Sequence, residues 1–147
     1  MELYLYDFSE YLDSDVDEHG FFKYPKLDSY WVEQSRHPFF IKVDGHFAGF
    51  VLVNSSCKYA SNKNTCSISQ FFVMKKYRKA NVGNFAAKHV FDLLDCEWEV
   101  RILNTNKPAL SFWHKVICEY TKGEYTFHSN ALPDWDGVGY TFTTKEK

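Results

Sequence analysis

The chain has 147 residues, with 17 Lys and Arg against 19 Asp and Glu. This length suits one domain with one core, spanning residues 1–147. Because only 24% of the residues are charged and 45% are hydrophobic, an intrinsically disordered chain is excluded. The 14 Phe, 10 Tyr and 4 Trp are more rings than a small core hides completely, so some are expected to line a groove or an interface.

The charges are unevenly distributed along the chain. Acids without bases lie between Met1 and Phe22, and bases without acids lie between Phe71 and Val90. One part of the molecule is therefore expected to favour cations and another anions. The net charge of −2 argues against a nucleic-acid partner, and the short apolar runs argue against a membrane partner. Because the N-terminus has no secretory signal, we expect a cytoplasmic location.

Ten elements follow from hydrophobic periodicity and turn residues. In chain order they are helices over residues 4–12 and 25–34, strands over 39–43, 47–53 and 66–74, a helix over 82–94, a strand over 97–103, a helix over 108–123, and strands over 125–128 and 138–143. Asp44-Gly45 supplies the positive φ angles of a tight hairpin turn. The order predicts an α/β (α+β) fold with a mixed, mostly antiparallel sheet of about six strands flanked by helices.

Several side chains are assigned by the same patterns. In residues 97–103 strict alternation predicts that Trp98, Val100 and Ile102 face inward and that Glu97, Glu99 and Arg101 face outward. The rings assigned to the core are those of Phe71, Phe85, Phe91, Trp98 and Phe112.

The four cysteines are Cys57, Cys66, Cys96 and Cys118. They lack the CxxC spacing of a zinc site and stand in apolar surroundings, which favours free thiols and no metal site. The alternative is a pairing of Cys57 with Cys66 across a hairpin.

The most informative segment runs from Phe71 to Phe85, where a buried strand leads through a basic turn into an amphipathic helix. The first N–H groups of that helix lack intrahelical partners and point outward with the positive end of the helix dipole, which makes an anion site. Asn81 and Gly83 tolerate unusual backbone angles, and Gly83 allows close approach to the main chain. The alternative is a solvated lysine loop in which Gly83 serves packing.

Two segments of the chain, residues 78–83 and 106–113, resemble motifs of the GNAT family of N-acetyltransferases. Residues 78–83, Arg-Lys-Ala-Asn-Val-Gly, are similar to the family's Arg/Gln-x-x-Gly-x-Gly/Ala motif, with Asn81 in place of the first glycine. Residues 106–113 are similar to its Asn-x-x-Ala-x-x-aromatic-aromatic motif. Residues 3–10 and His19-Gly20 also resemble a bacterial branch of predicted acetyltransferases.

The resemblance implies a sheet that splays between the family's fourth and fifth strands and binds acetyl-coenzyme A (acetyl-CoA) as co-substrate in the slot. It also implies that the family's first strand is missing or is supplied by residues 1–6. The main-chain groups of Phe72, Val73 and Met74 are expected to pair with the pantetheine arm, and the amides of residues 78–84 are expected to bind the pyrophosphate. The implied cofactor-binding residues are Phe72, Val73, Met74, Arg78, Lys79, Ala80, Asn81, Val82, Gly83, Asn84, Asn106, Ala109 and Trp113.

The implied activity is transfer of acetyl from acetyl-CoA to an amine, by direct attack in a ternary complex. No catalytic residue is assigned, because Gln70 and Trp113 stand where relatives often carry a proton-accepting Glu and a proton-donating Tyr. The candidates for a base that acts through a water molecule are Glu97, Glu99, Asp28, Glu33 and His37, but for each of them an ordinary surface charge is the favoured interpretation.

The acceptor side of the family's groove corresponds to the first part of the chain, where aromatic residues lie beside acids. This composition suits an amine acceptor, either a small molecule or a peptide. The alternative is that the rings cover the edge of the core while Asp13, Asp15 and Asp17 lie in a solvated loop. The candidate acceptor residues are Tyr6, Tyr24, Tyr30, Trp31 and Gln70. Two alternatives stay open: a catalytically weakened member that binds CoA or a metabolite, and an interaction module whose N-terminal aromatics form a homodimer or partner face.

Overall fold

The computed structural model describes residues 1–129 and 132–144. Within these residues, two short 3-10 helices, Asp28–Trp31 and Lys75–Tyr77, accompany three α-helices and six β-strands. In chain order these are α1 (Glu2–Phe8), β1 (His37–Val43), β2 (His46–Asn54), β3 (Thr65–Val73), α2 (Val82–Leu93), β4 (Glu97–Leu103), α3 (Lys107–Thr121), β5 (Thr126–His128) and β6 (Gly137–Thr143).

The strands form one mixed sheet in the order β1-β2-β3-β4-β6-β5. Only β3 and β4 run parallel, and the other neighbours are antiparallel. The predicted fold class is therefore confirmed. Since residues Glu2–Phe8 are helical, the expectation that residues 1–6 supply a strand is wrong, and β1 lies at the edge of the described sheet. Every helix in the described ranges is too short or too polar to span a bilayer.

The hairpin and the helices differ in how well they match the sequence. Asp44 and Gly45 have φ angles of 49° and 79°, so the predicted hairpin turn is confirmed. The predicted second helix is wrong in extent, because Lys26 adopts a left-handed φ of 68° and interrupts any helix that begins at Pro25. Only the single turn Asp28–Trp31 forms there.

The core lies between the sheet and helices α2 and α3. Phe91 of α2 is fully buried, and its ring contacts the rings of Trp98, Trp113 and Phe142. Phe85, assigned to the core from its place on the helix, is instead 69% exposed and stacks on His89.

Strand β4 carries a charged residue that is completely buried. Its alternation is as predicted, since Trp98, Val100 and Ile102 belong to the core. Glu99 nevertheless has no exposed surface, so its assignment to solvent is wrong. The reason is that the polar connection between β2 and β3 folds over this face of the sheet and donates main-chain hydrogen bonds to Glu99.

A disulfide joins Cys66 to Cys96, with the two Cα atoms 6.0 Å apart. Cys66 pairs with Trp98 in the parallel ladder. This register places Cys66 close to Cys96, which precedes β4 by one residue. The expectation of four free thiols is therefore wrong for this pair, as is the pairing of Cys66 with Cys57. Cys57 and Cys118 are free.

Gly49 allows β2 to pass close to β3, because a Cβ at this position would clash with the main-chain carbonyl of Phe72. We expect Gly49→Ala to lower the free energy of unfolding by about 2–3 kcal/mol, since two paired backbones must separate. Denaturant titration measures this loss. The control is Gly83→Ala, whose Cβ would meet ring carbons of Phe112 at 3.2 and 3.3 Å. In this variant alanine stabilises the helix by about 0.5–1 kcal/mol relative to glycine. Equal losses of the free energy of unfolding in the two variants would contradict the prediction.

Candidate functional site

A cleft of about 1030 Å³ opens where β3 and β4 separate. The two strands pair only at Thr65–Glu97, Cys66–Trp98 and Ser67–Glu99, although both continue beyond these residues. The register between β2 and β3 shifts at the same level, where Leu52 pairs with Gln70 and Val53 pairs with Ile68. An extra residue in one strand bends it, so β3 diverges from β4 and the predicted splay is confirmed.

The main chain of β3 presents alternate residues to the cleft. Met74 donates its N–H to the carbonyl oxygen of Ala48 at 2.8 Å, so its amide faces β2. Because main-chain groups alternate between the two sides of a strand, Phe71 and Val73 turn theirs toward the cleft. The carbonyl oxygen of Val73 accepts a hydrogen bond from Arg78 Nε at 2.7 Å.

The turn after β3 ends in an exposed helix start. Lys79 and Asn81 both have left-handed φ angles, 72° and 61°, and Asn81 is the N-cap of α2. The first helical hydrogen bond runs from Phe85 N–H to the oxygen of Asn81 at 3.0 Å. The amides of residues 82–84 therefore lack intrahelical partners, and these residues line the cleft. Asn81 therefore adopts the left-handed backbone conformation that asparagine is predicted to tolerate at this position.

Gly83 packs against α3. A Cβ at this position would meet the ring of Phe112 and, at 3.7 Å, that of Phe71. This contact favours the interpretation in which Gly83 serves packing, because an aromatic ring occupies the space that a side chain would take.

The basic turn is tied to α1 by an ion pair. Arg78 Nη2 lies 2.6 Å from Asp7 Oδ2, and Lys75 Nζ lies 3.6 Å from Asp7 Oδ1. The guanidinium of Arg78 therefore points toward α1, where the carboxylate of Asp7 provides its counter-charge. Lys79, which lines the cleft, forms no ion pair within the described ranges.

The second sequence motif begins with a helix cap. Asn106 Oδ1 accepts a hydrogen bond from the N–H of Ala109 at 3.1 Å, which stabilises the first turn of α3. Trp113 is buried, and its ring centroid lies 4.9 Å from that of Phe71 and 5.0 Å from that of Phe112. The three rings form an apolar wall of the cleft without a proton-donating group.

Gln70 lies on the opposite face of the sheet, in a hydrogen-bonded group with two tyrosines. Tyr4 donates its phenolic O–H to Gln70 Oε1, and Gln70 Nε2 donates to Tyr24 Oη at 3.2 Å. Burial raises the pKa of both phenols, so both keep their protons at neutral pH. Tyr4 and Gln70 separate the cleft from a second pocket of about 470 Å³, which is also lined by Tyr24 and the acidic segment after α1.

The other candidate acceptor residues lie outside both pockets. Tyr6 and Trp31 are 71% and 59% exposed. Tyr30 is buried, where it accepts a hydrogen bond from Asn54 and lies under the guanidinium of Arg36. Among the suggested bases, Glu33 is paired with Arg36, and that contact lowers its pKa.

Most of the implied cofactor-binding residues line one cleft. They are Phe72, Val73, Arg78, Lys79, Asn81, Val82, Gly83, Asn84, Asn106, Ala109 and Trp113. Met74 and Ala80 do not line it.

The sequence interpretation missed other cleft residues, among them Tyr4, Asp7, Arg101 and Trp135. For Arg101, the sequence signal that could have identified it as a cleft residue is its outward position on a strand beside the splay. No group of three or more His, Cys, Asp or Glu side chains suited to a metal ion occurs in residues 1–129 and 132–144.

Comparison with solved structures finds the same fold. The ribosomal-protein-S18-alanine N-acetyltransferase from Escherichia coli is 12% identical, with a TM-score of 0.53 over 84% of this chain and 77% of that chain. A Bacillus anthracis protein provisionally assigned as a streptothricin acetyltransferase, in complex with acetyl coenzyme A, is 15% identical, with a TM-score of 0.59 over 84% and 70%. A GNAT family acetyltransferase from Elizabethkingia anophelis with acetyl-CoA bound is 13% identical, with a TM-score of 0.52 over 90% and 86%.

Comparison of sequences assigns the family. No curated protein sequence matches the chain significantly. The sequence model of the acetyltransferase (GNAT) family, however, matches residues 2–117, which is most of the chain. The splayed strands β3 and β4 and the left-handed turn before α2 lie within that match. The chain therefore belongs to the acetyltransferase (GNAT) family.

Proposed function

We propose that this protein binds acetyl-CoA in the cleft between β3 and β4 and transfers its acetyl group to an amine. The observation that carries the proposal is the junction of the cleft with the start of α2, where three unpartnered amides meet a slot walled by apolar side chains. A pyrophosphate needs N–H donors, and a long apolar-edged slot suits an extended chain with amide groups. The solved relatives with acetyl-CoA bound support the choice of ligand.

The roles of individual residues follow from where their polar groups point. The amides of residues 82–84 are proposed to bind the pyrophosphate, with Lys79 adding positive charge. The main-chain groups of Phe71 and the N–H of Val73 are proposed to pair with the pantetheine arm, because the main-chain groups of Phe72 and Met74 face β2 and the carbonyl oxygen of Val73 accepts a hydrogen bond from Arg78. Phe112 and Trp113 are proposed to exclude water from the slot.

In the proposed reaction a neutral amine attacks the carbonyl carbon of the thioester. The C–N bond forms, the C–S bond breaks, and CoA leaves as the thiol while the amine loses one proton. Positioning the two reactants can lower the barrier by about 7–11 kcal/mol. The position of Gln70 itself supplies no base, because an amide does not accept a proton at neutral pH and its hydrogen-bond partners Tyr4 and Tyr24 keep their own protons. A missing base costs typically about 10²–10⁴-fold, so slow turnover is expected. Gln70 and Trp113 also favour the second candidate, a member that binds the cofactor without efficient turnover.

Isothermal titration calorimetry with acetyl-CoA tests the proposal. We expect saturable binding and a rise in the thermal midpoint, because the ligand binds only the folded chain. Release of CoA thiol in the presence of an amine panel then separates enzyme from binder. Absence of binding at millimolar acetyl-CoA would refute both candidates and leave the interaction module.

A further inference from the structure

The wall of the cleft opposite Gln70 carries a fixed guanidinium, that of Arg101 on β4. Arg101 alternates with Val100 and Ile102, which are core residues on the α2 and α3 side. It therefore lies on the other face of the sheet, the face on which Gln70 contacts Tyr4. An acceptor that approaches the splay from this face passes between Gln70 and Arg101.

The side chain of Arg101 is held by three neighbours. Its Nε lies 3.0 Å from Glu99 Oε1, its Nη2 donates to the carbonyl oxygen of Ser56 at 3.4 Å, and its guanidinium lies 5.7 Å from the ring centre of Trp135. These contacts come from β4 itself, from the connection after β2 and from the segment before β6. A guanidinium fixed in this way loses little side-chain entropy when it binds a ligand.

Glu99 does not use up the hydrogen-bonding capacity of Arg101. The carboxylate accepts main-chain hydrogen bonds from Lys58, Tyr59 and Ala60 at 2.7–2.9 Å. Arg101 Nε is close to Glu99 but is not aligned for a hydrogen bond, and Nη1 has no acceptor among the residues that the structure describes. The side chain keeps 27% of its surface exposed, so donors remain for a ligand in the cleft.

We propose that Arg101 forms an anion-binding subsite for the acceptor, and that the acceptor is an amine that also carries a carboxylate. The planar fork of a guanidinium matches a carboxylate, and the neighbouring cleft leads to the proposed thioester position between β3 and β4. The ligand's carboxylate would bind Nη1 and Nη2 while its amine points toward Gln70. This inference rests on the proposed function for the reaction, but the anion site itself can be tested without it.

The test uses pairs of amines that differ only in a carboxylate: L-phenylalanine and phenethylamine, L-lysine and cadaverine, β-alanine and ethylamine. With acetyl-CoA present, we expect kcat/KM to favour the carboxylated member of at least one pair by about tenfold or more. Arg101→Met should reduce that preference to about twofold or less, and Arg101→Lys should retain part of it. The Kd for acetyl-CoA should stay unchanged in both variants. The matched control is Lys115→Met, another cation that lines the cleft, which should keep the preference.

A direct binding measurement keeps the inference testable if no amine is acetylated. We expect 3-phenylpropionate to bind the wild-type protein in a calorimetric titration, with or without acetyl-CoA, and to bind Arg101→Met at least about tenfold more weakly. Equal kcat/KM for both members of every pair, or no binding of the carboxylate probe to the wild type, would overturn the inference. Failure of acetyl-CoA itself to bind would overturn the proposed function instead. Circular dichroism confirms that each variant is folded.

Discussion

Replacing Glu99 with alanine is expected to lower the free energy of unfolding by about 3–5 kcal/mol. The carboxylate is fully buried and is the common acceptor for the amides of Lys58, Tyr59 and Ala60. Its removal leaves these donors buried without a partner and leaves Arg101 without its counter-charge. Each such loss is expensive away from water.

Glu97 offers a matched control two residues earlier on the same strand. It accepts hydrogen bonds from the amides of Ser61 and Asn62 at 3.1 and 3.0 Å, but the contacts are exposed. Glu97→Ala is therefore expected to cost about 1 kcal/mol or less. Urea titration followed by circular dichroism measures both variants. Similar losses for the two would contradict the idea that burial of Glu99 sets the size of the effect.

Several local signals in the sequence predicted local structure correctly, although the helix expected over residues 25–34 is reduced to the turn Asp28–Trp31. Asp44-Gly45 set the hairpin, and the alternation of β4 identified its inward face. The motif around Asn81 located both the left-handed turn and the start of α2. These features depend on residues close together in the chain, so periodicity and turn chemistry were sufficient.

Features that depend on distant contacts were missed. An outward Glu99 is a surface residue by pattern, and only the fold of residues 55–64 over that face buries it. The partner of Cys66 is Cys96, because the parallel ladder aligns the starts of β3 and β4. In the same way, the side chain of Arg78 turns to Asp7, 71 positions away, which no spacing rule indicates.

The candidate site likewise has one part that depends on local sequence and another that depends on distant contacts. The half formed by β3, the turn and α2 is continuous in sequence and was located by its motif. The proposed acceptor half combines α1, Gln70, Arg101 and Trp135, which line the cleft from four parts of the chain. Aromatic richness pointed to the N-terminal segment, yet Tyr6 and Trp31 lie outside both pockets, whereas Tyr4 lies between them.

Replacing Ala109 with tryptophan is expected to weaken acetyl-CoA binding by at least about 100-fold, or about 2.8 kcal/mol of binding free energy. Ala109 lies in the first turn of α3, lines the cleft and packs against the core. An indole in place of its methyl group would fill part of the slot between Val73 and Trp113. Calorimetry with acetyl-CoA measures the effect, and the thermal midpoint reports whether the fold is retained.

Ser111 provides the control, because it is exposed on the same helix two residues further along. Ser111→Trp adds the same ring to α3 without entering the cleft, so the Kd for acetyl-CoA is expected to stay within about twofold of the wild type. If both tryptophan variants bind acetyl-CoA normally, the ligand does not occupy this cleft. If Ala109→Trp alone loses binding while its thermal midpoint stays near that of the wild type, the slot between β3 and β4 is the binding site.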